Sequence, residues 1–270
     1  MRAVGVGDLL FYTFPHLSKQ TGLIHAFSSR LGGVSQGCCA SLNLAFTNAE
    51  DEPAKVRENW RRLGAAVGFD PQRAVLTRQT HSINIREVGN KDAGRGISRP
   101  VGYNDIDGLI TGEPQLPLIT YHADCAALFF YSPSPRLIGL AHAGWRGTAA
   151  GMAAAMVREL NKRGCDPAKL LVGIGPSAGP CCYQVELEVA QCFSGLNDEA
   201  GPVLHPEKGQ AGKYKLDLWR ANRAILLQAG LKKENILTGG LCTICHPHLF
   251  FSHRVQGEAR GTLAAVMMLV

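Results

Sequence analysis

Residues 125–142 read CAALFFYSPSPRLIGLAH, and the pattern of this stretch decides the fold class. Ala126–Tyr131 is an unbroken apolar run of strand length, rich in aromatic rings, and reads as a buried strand. Ser132-Pro133-Ser134-Pro135 is a turn signal. Leu137–Ala141 is the return strand. A hairpin closed about the centre of that turn pairs residue 131 with 136 and sets Cys125 opposite His142. Their Cβ atoms would then lie roughly 5 Å apart, near enough to share a proton or a metal ion. The expectation depends on register, since a one-residue slip turns one of the two side chains to the other face.

The neighbouring segments mix hairpins with helices. Asp51-Glu52-Pro53 opens a helix, with Asp51 as cap and Pro53 in the first turn. Val56, Trp60, Leu63 and Val67 follow at helical spacing, and Gly68 ends it. Residues 74–88 read as extended, with His81 near the middle. Residues 107–111 (DGLIT) and 117–121 are short strands. Residues 147–163 form a helix with Ala149, Met152, Met156 and Leu160 on one face. Residues 170–174 are a buried strand, 185–193 a helix, and 263–270 a terminal strand. Asp217 caps a helix carrying Leu218, Ala221, Ile225 and Leu226, which Gly230 ends. Strands and helices do not alternate strictly, which predicts an α+β layered fold with mixed β-sheets flanked by helices. Residues 89–104 and 195–213 are polar, Gly-containing surface loops.

The chain has 270 residues, 46% of them hydrophobic, with no evident linker or repeat. We expect a single domain over residues 1–270, large enough for a substantial core. The formal net charge is +6 and its basic residues are dispersed. A nucleic-acid binder concentrates such charge on one element, so no nucleic-acid partner is expected. The excess reads first as solvated surface and gives only weak support for small anions such as phosphate. No apolar run spans a membrane. The N-terminus lacks a signal-peptide cleavage pattern, and the nine cysteines form an odd set. They read as reduced thiols in a cytoplasmic protein.

His81, Cys125 and His142 offer two imidazoles and a thiolate from separate segments. Such a trio holds a transition metal and leaves one coordination position open, as catalytic zinc requires. Each has a plainer alternative. Cys125 and His142 are core residues if unpaired, and His81, in a polar segment, is a surface residue. His122 is a rival ligand, but in an extended strand it faces away from Cys125, as does Asp124.

His142-Ala143-Gly144-Trp145-Arg146-Gly147 joins a strand to a helix start, where unpaired N–H groups favour an anion. Arg146 adds a planar fork for phosphate, and Gly144 permits close approach of a ligand. The alternative is an ordinary turn with Trp145 buried and Arg146 exposed. Residues 28–35 (SSRLGGVS) bring Arg30 to an anion or form a plain turn. Cys242-Thr243-Ile244-Cys245 is a lone CxxC beside His246 and His248, a weak signal for a second metal. Cys181-Cys182 reads as packing. Residues 250–254 (FFSHR) either present Ser252, His253 or Arg254 to a pocket or form a strand.

With these strings in place, the chain resembles the YfiH/laccase-domain family, also called multicopper polyphenol oxidase-like and understood as purine nucleoside phosphorylases. The resemblance rests on SRLGGVS, SLNL, the TH of TRQTHS, DGLIT, ADC, HAGWRGT, GIGPSAGPCCYQV, KYKLDL, CTIC and FFSHR. It implies a YfiH-like catalytic domain with zinc on His81, Cys125 and His142. It implies phosphorolysis of adenosine, inosine, guanosine and methylthioadenosine, with adenosine deamination as a second activity. Cys125, His142 and Arg146 are then the expected catalytic residues, and Arg30, Gly144 and Arg146 the substrate contacts. Purine nucleosides and phosphate are the expected partners. The chain departs from the family at TRQTHS, where a QVHG-like string is commoner, and at His253, where Tyr is usual. Two other chemistries suit the same residues: a metal-free Cys–His hydrolase, and a copper phenol oxidase. The second needs many histidines in repeated HxH pairs, and only His246-Pro247-His248 is such a pair.

Overall fold

The structure, a computed structural model, describes residues 1–47 and 50–270. Its N-terminal half runs through β1 (Arg2–Val6), β2 (Leu9–Thr13), α1 (Pro15–Ser18), β3 (Leu23–Ser28), α2 (Pro53–Val67), β4 (Val75–Leu76), β5 (Ile85–Glu87), β6 (Gly108–Thr111) and β7 (Leu118–His122). The central hairpin is β8 (Ala126–Pro133) and β9 (Arg136–Ala143), followed by α3 (Trp145–Ala149), α4 (Met152–Lys162) and β10 (Leu171–Ile174). Then come β11 (Gln184–Glu186), α5 (Leu187–Gln191), β12 (Asn197–Asp198), β13 (Gly201–Pro202), β14 (Leu204–Pro206) and β15 (Lys213–Leu216). The chain closes with α6 (Leu218–Gln228), β16 (Ile236–Thr238), α7 (His253–Gln256) and β17 (Leu263–Leu269).

Two six-stranded sheets dominate, in the orders β1-β2-β3-β17-β7-β4 and β16-β10-β8-β9-β6-β5. Most neighbours are antiparallel, but β4 with β7, β5 with β6 and β10 with β16 run parallel, so both sheets are mixed. The strand sequences explain why the sheets stack. Along β8, Ala127, Phe129 and Tyr131 enter the core between the sheets, while Ala126, Leu128 and Phe130 face the opposite way. Along β17, Leu263, Ala265, Met267 and Leu269 face the same inter-sheet core, and Ala264, Val266 and Met268 face outward. Both faces of these strands are apolar, so each sheet needs a cover on its far side.

Helices supply the covers. Val56, Trp60 and Leu63 of α2 pack on the outer face of the first sheet. Met152, Met156, Val157 and Leu160 of α4 and Leu226 of α6 pack on the outer face of the second. The result is a helix–sheet–sheet–helix stack, an α+β layered fold with mixed sheets. Gly68, with φ 94°, ends α2 in the left-handed conformation that favours glycine. Among the described residues no helix is long and apolar enough to cross a membrane.

Several local expectations are corrected. The hairpin turn is tighter than expected: Pro133 pairs with Arg136, so His142 pairs with Ala127 rather than Cys125. The shift is by two residues, which preserves the facing of the side chains. Residues 74–88 are not one strand, because β4 and β5 are separated by a loop in which His81 takes φ 66°. The helix at 147–163 starts earlier and breaks at Gly151, whose φ is 87°. Residues 184–186 are a strand, and only 187–191 are helical. Asp51 does not cap α2; its carboxylate accepts from Ser35 Oγ and Asn43 Nδ2, both at 2.7 Å. Residues 253–256 of the FFSHR segment and its successors form a helix, not a strand.

Candidate metal centre

The connection from β7 to β8 carries the chain from one sheet to the other, and Cys125 sits at its end. Asp124, with φ 84°, makes the bend. Its carboxylate is held by Thr243 Oγ1 at 2.6 Å, Ser252 Oγ at 3.0 Å and the Arg254 N–H at 2.7 Å. Cys125 therefore leaves the plane of β8 at the end of the hairpin opposite its turn, where β9 delivers His142. The loop between β4 and β5 brings His81 to the same place.

One donor atom from each of His81, Cys125 and His142 lies within 4.8 Å of the other two. His81 Nε2 is 3.9 Å from Cys125 Sγ, and the two imidazoles meet edge to face with centroids 5.0 Å apart. Three ligands bound at about 2.0–2.3 Å from one tetrahedral ion are spaced by about 3.5 Å, so modest closure fits this set to a metal. His142 Nδ1 is engaged with Asp107 Oδ1 at 2.8 Å, which leaves Nε2 as the atom it can offer a metal. A carboxylate behind a histidine fixes the tautomer that a metal needs.

Asp107 organises both histidine segments. It is fully buried and accepts from the N–H groups of Thr80, His81 and Ser82 at 2.8, 3.1 and 3.1 Å, and from Ser82 Oγ at 3.1 Å. Burial alone would raise its carboxyl, but His142 and the N–H groups of Thr80 and Ser82 hold it below its ordinary value. Burial also pushes the Cys125 thiol up, yet the adjacent His142 and His81 rings outweigh it and bring it to about 6. His142 shows the converse: burial lowers it, while Cys125 and Asp107 raise it to about 9. Each of the two groups thus favours the charged form of the other.

His122 is not a ligand. Its Nδ1 meets the Cys125 carbonyl at 3.0 Å and its Nε2 meets Thr120 Oγ1 at 2.7 Å, so both ring nitrogens are engaged. Burial and the nearby His142 hold it well below its usual value.

The three donors lie in the wall of a cleft of about 610 Å³, which is also lined by Tyr121, Trp145, Arg146, Tyr183, Arg254 and Arg260. Arg146 stacks on the Trp145 indole at 4.2 Å and, among the described residues, its guanidinium has no hydrogen bond or ion pair. Arg254 donates to the Gln184 carbonyl at 2.8 Å and lies over the Tyr183 ring at 5.2 Å. Arg30 lies outside the lining of this cleft. Its guanidinium donates to the Ala40 and Pro247 carbonyls and covers the Phe251 ring. Gly144 is close-packed for a different reason than ligand approach: a Cβ there would stand 2.7 Å from Cys125 Sγ and 3.0 Å from His81 Cδ2. The helix expected to point at an anion is only five residues long, so its dipole adds little.

Residue-level reading missed Asp107, Tyr183 and Arg260. Asp107 had one available signal, an acidic residue opening a strand that is otherwise apolar. Tyr183 and Arg260 had none, because only tertiary packing brings them to the cleft.

The family model for multi-copper polyphenol oxidoreductase laccase matches residues 24–270. The chain belongs to this family. The laccase-family chain is 38% identical to "Purine nucleoside phosphorylase YlmD" of Geobacillus stearothermophilus, over 90% of this chain and 89% of that protein. The crystal structure of that YlmD superposes with a TM-score of 0.89 at 34% identity, covering 98% of this chain and 97% of the other. The crystal structure of Bacillus licheniformis hypothetical protein YfiH gives the same TM-score at 31% identity and the same coverage.

Proposed function

We propose that this chain is a zinc-dependent purine nucleoside phosphorylase acting on adenosine, inosine, guanosine and methylthioadenosine, with adenosine deamination as a second activity. The observation that carries the reading is a thiolate and two imidazoles in the wall of a cleft that also holds an unpartnered arginine. The relative named purine nucleoside phosphorylase supports the substrate class.

Phosphorolysis breaks the bond between ribose C1′ and the purine nitrogen and forms a bond from C1′ to a phosphate oxygen. The base departs with the bonding electrons and takes up a proton. Zinc bound by His81, Cys125 and His142 supplies Lewis acidity in the wall of the cleft. Arg146 binds the phosphate through its planar fork, whose donors have no competing protein acceptor among the described residues. Its stacking on Trp145 holds that fork in place. Gly144 keeps the chain close beneath the donor set, and Asp107 orients His142. The rings of Trp145 and Tyr183 give a flat base apolar faces to rest on. Deamination replaces the C6 amino group with oxygen from water and releases ammonia. Asp124 does not move that proton, since both of its oxygens are engaged.

One observation favours a second reading. Asp107, His142 and Cys125 form a carboxylate–imidazole–thiol series, the arrangement of cysteine hydrolases. Copper phenol oxidation draws less support: among the described residues only one ligand cluster contains histidine, against the several a multicopper centre requires. The deciding experiment is release of base from inosine with and without phosphate, alongside metal quantification. Phosphate-dependent cleavage by zinc-containing protein, lost in Cys125→Ala, is the expected result. Equal turnover in that variant overturns the assignment.

A further inference from the structure

Away from the cleft centre, two segments about sixty positions apart bring four cysteines together. Sulfur atoms of Cys181, Cys182, Cys242 and Cys245 all lie within 4.8 Å of one another. Cys181 Sγ and Cys182 Sγ each stand 3.3 Å from Cys245 Sγ. The sequence alone gave a lone CxxC and an adjacent pair that looked like packing. The tight turn at Gly179–Cys182, in which the Cys182 and Tyr183 N–H groups bond to the Gly179 carbonyl, aims both neighbouring thiols at the CxxC.

We propose that these four cysteines form a closed structural metal site for a soft divalent cation, zinc foremost, distinct from the His81–Cys125–His142 centre.

Three observations support it. First, the donor count and type match: four thiolates in tetrahedral array are a zinc or iron–sulfur ligand set, and a structural zinc site has no open position. The sulfurs need only even out their spacing, to about 3.7 Å, to surround one ion with bonds of about 2.3 Å. Second, Cys242 Sγ accepts the N–H of Gly179 at 3.2 Å. An amide donor aimed at a sulfur stabilises it as a thiolate, the form that binds metal. Third, a disulfide does not account for the cluster. Cys181 and Cys182 are equally close to Cys245, so the spacing singles out no pair, whereas one ion engages all four sulfurs together. Cys181 and Cys245 are also exposed, and exposed free thiols are a liability that metal binding removes.

The site has a structural consequence. The CxxC segment is already joined to the cleft wall, because Ser177 bridges to Cys242, Thr243 N–H bonds to the Ser177 carbonyl, and Thr243 Oγ1 holds Asp124. Tyr183, which follows Cys182, lines the cleft. An ion at the four sulfurs ties these segments into one unit and fixes the wall beside Cys125.

The test counts zinc in wild-type protein, in Cys125→Ala, and in the double variant Cys242→Ser/Cys245→Ser, after zinc loading and gel filtration. Cys125→Ala should retain one zinc per chain, and the double variant should hold one fewer than wild type. To keep the test independent of folding of the double variant, a second measurement uses Cys125→Ala alone. Zinc should slow iodoacetamide labelling of Cys181, Cys182 and Cys245 on the order of tenfold, with chelator restoring it. Cobalt in the same protein should give the thiolate charge-transfer and intense visible bands of a tetrahedral sulfur site. A metal-free Cys125→Ala whose four cysteines label alike with and without zinc overturns the proposal, as does recovery of any two of them as a disulfide. The result stands apart from the phosphorylase reading: loss of zinc from the first centre leaves this count unchanged.

Discussion

Asp107 Oδ1 accepts from His142 Nδ1 at 2.8 Å, and the same carboxylate takes the N–H groups of Thr80, His81 and Ser82. One buried group therefore sets the tautomer of one histidine and the loop that carries the other. Asp107→Asn keeps the size but faces an amide NH₂ toward donors. We expect metal affinity to fall about 10–100-fold and stability to fall by about 1–3 kcal/mol. Zinc competition titration and urea denaturation measure the two losses. Unchanged zinc affinity would remove Asp107 from its orienting role.

Gly144→Ala tests close packing rather than backbone freedom. The residue has φ −72° and ψ 179°, which any amino acid adopts. Its new methyl group, however, would press on Cys125 Sγ and His81 Cδ2. The variant should fold with a wild-type circular dichroism spectrum yet bind zinc and turn over nucleoside poorly. Full activity at full metal content would show that the donors can move aside without cost.

Arg146→Ala separates binding from folding. The side chain is exposed and, among the described residues, its guanidinium stacks on Trp145 without a hydrogen bond or ion pair, so stability should change by no more than about 0.5 kcal/mol. The KM for phosphate should rise about tenfold or more, since a charge-assisted fork is worth about 1.5–3 kcal/mol, with the nucleoside KM changed much less. Steady-state kinetics with each substrate varied in turn decides it. An equal rise in both constants would argue for a general collapse of the cleft.

Cys125 supplies a pH signature in metal-free protein. With its thiol brought to about 6 by His142 and His81 against the effect of burial, alkylation should run at near its full rate at pH 7 and fall by half near pH 6. Replacing His142 by Asn removes the main charge partner and should move that midpoint up by more than one pH unit. Mass-spectrometric rates of Cys125 labelling between pH 5 and 9 give both numbers (about four points per unit suffice). Bound zinc should suppress the reaction throughout.

What local pattern could and could not disclose follows from the range of the interactions. The apolar alternation of β8 and β17 and the spacing of Val56, Trp60 and Leu63 are short-range features, and they gave the layered fold. The hairpin register depended on which residues of Ser132–Pro135 close the turn, a choice between similar local geometries that sequence spacing does not resolve. Gly151 interrupts a helix that its apolar neighbours would otherwise continue. Arg30 looked like an anion ligand because its carbonyl partners, Ala40 and Pro247, become neighbours only in the folded chain. The same holds for the four cysteines, whose two segments are joined only by tertiary packing.

His25 provides a stability test remote from both cysteine centres. It is 4% exposed, accepts the Phe14 N–H at Nε2 at 2.7 Å, and lies against the Phe14 and Phe129 rings. Burial, reinforced by nearby His16, lowers it from 6.5 to about 4. Between those values the unfolded chain binds a proton that the folded chain refuses. Stability is therefore fully present above about pH 6.5 and is lost as pH falls toward 4. The loss from this residue should be on the order of 2 kcal/mol by pH 4.5, a window that stays above most carboxylate titration. His25→Gln keeps an acceptor for Phe14 but cannot titrate, so its stability at neutral pH should be lower while its slope below pH 6.5 is flatter. Buried His122 acts in the same direction and leaves a residual slope. Parallel stability curves for wild type and His25→Gln, from urea denaturation across pH 4.5–7.5, would mean that His25 is protonated inside the folded core.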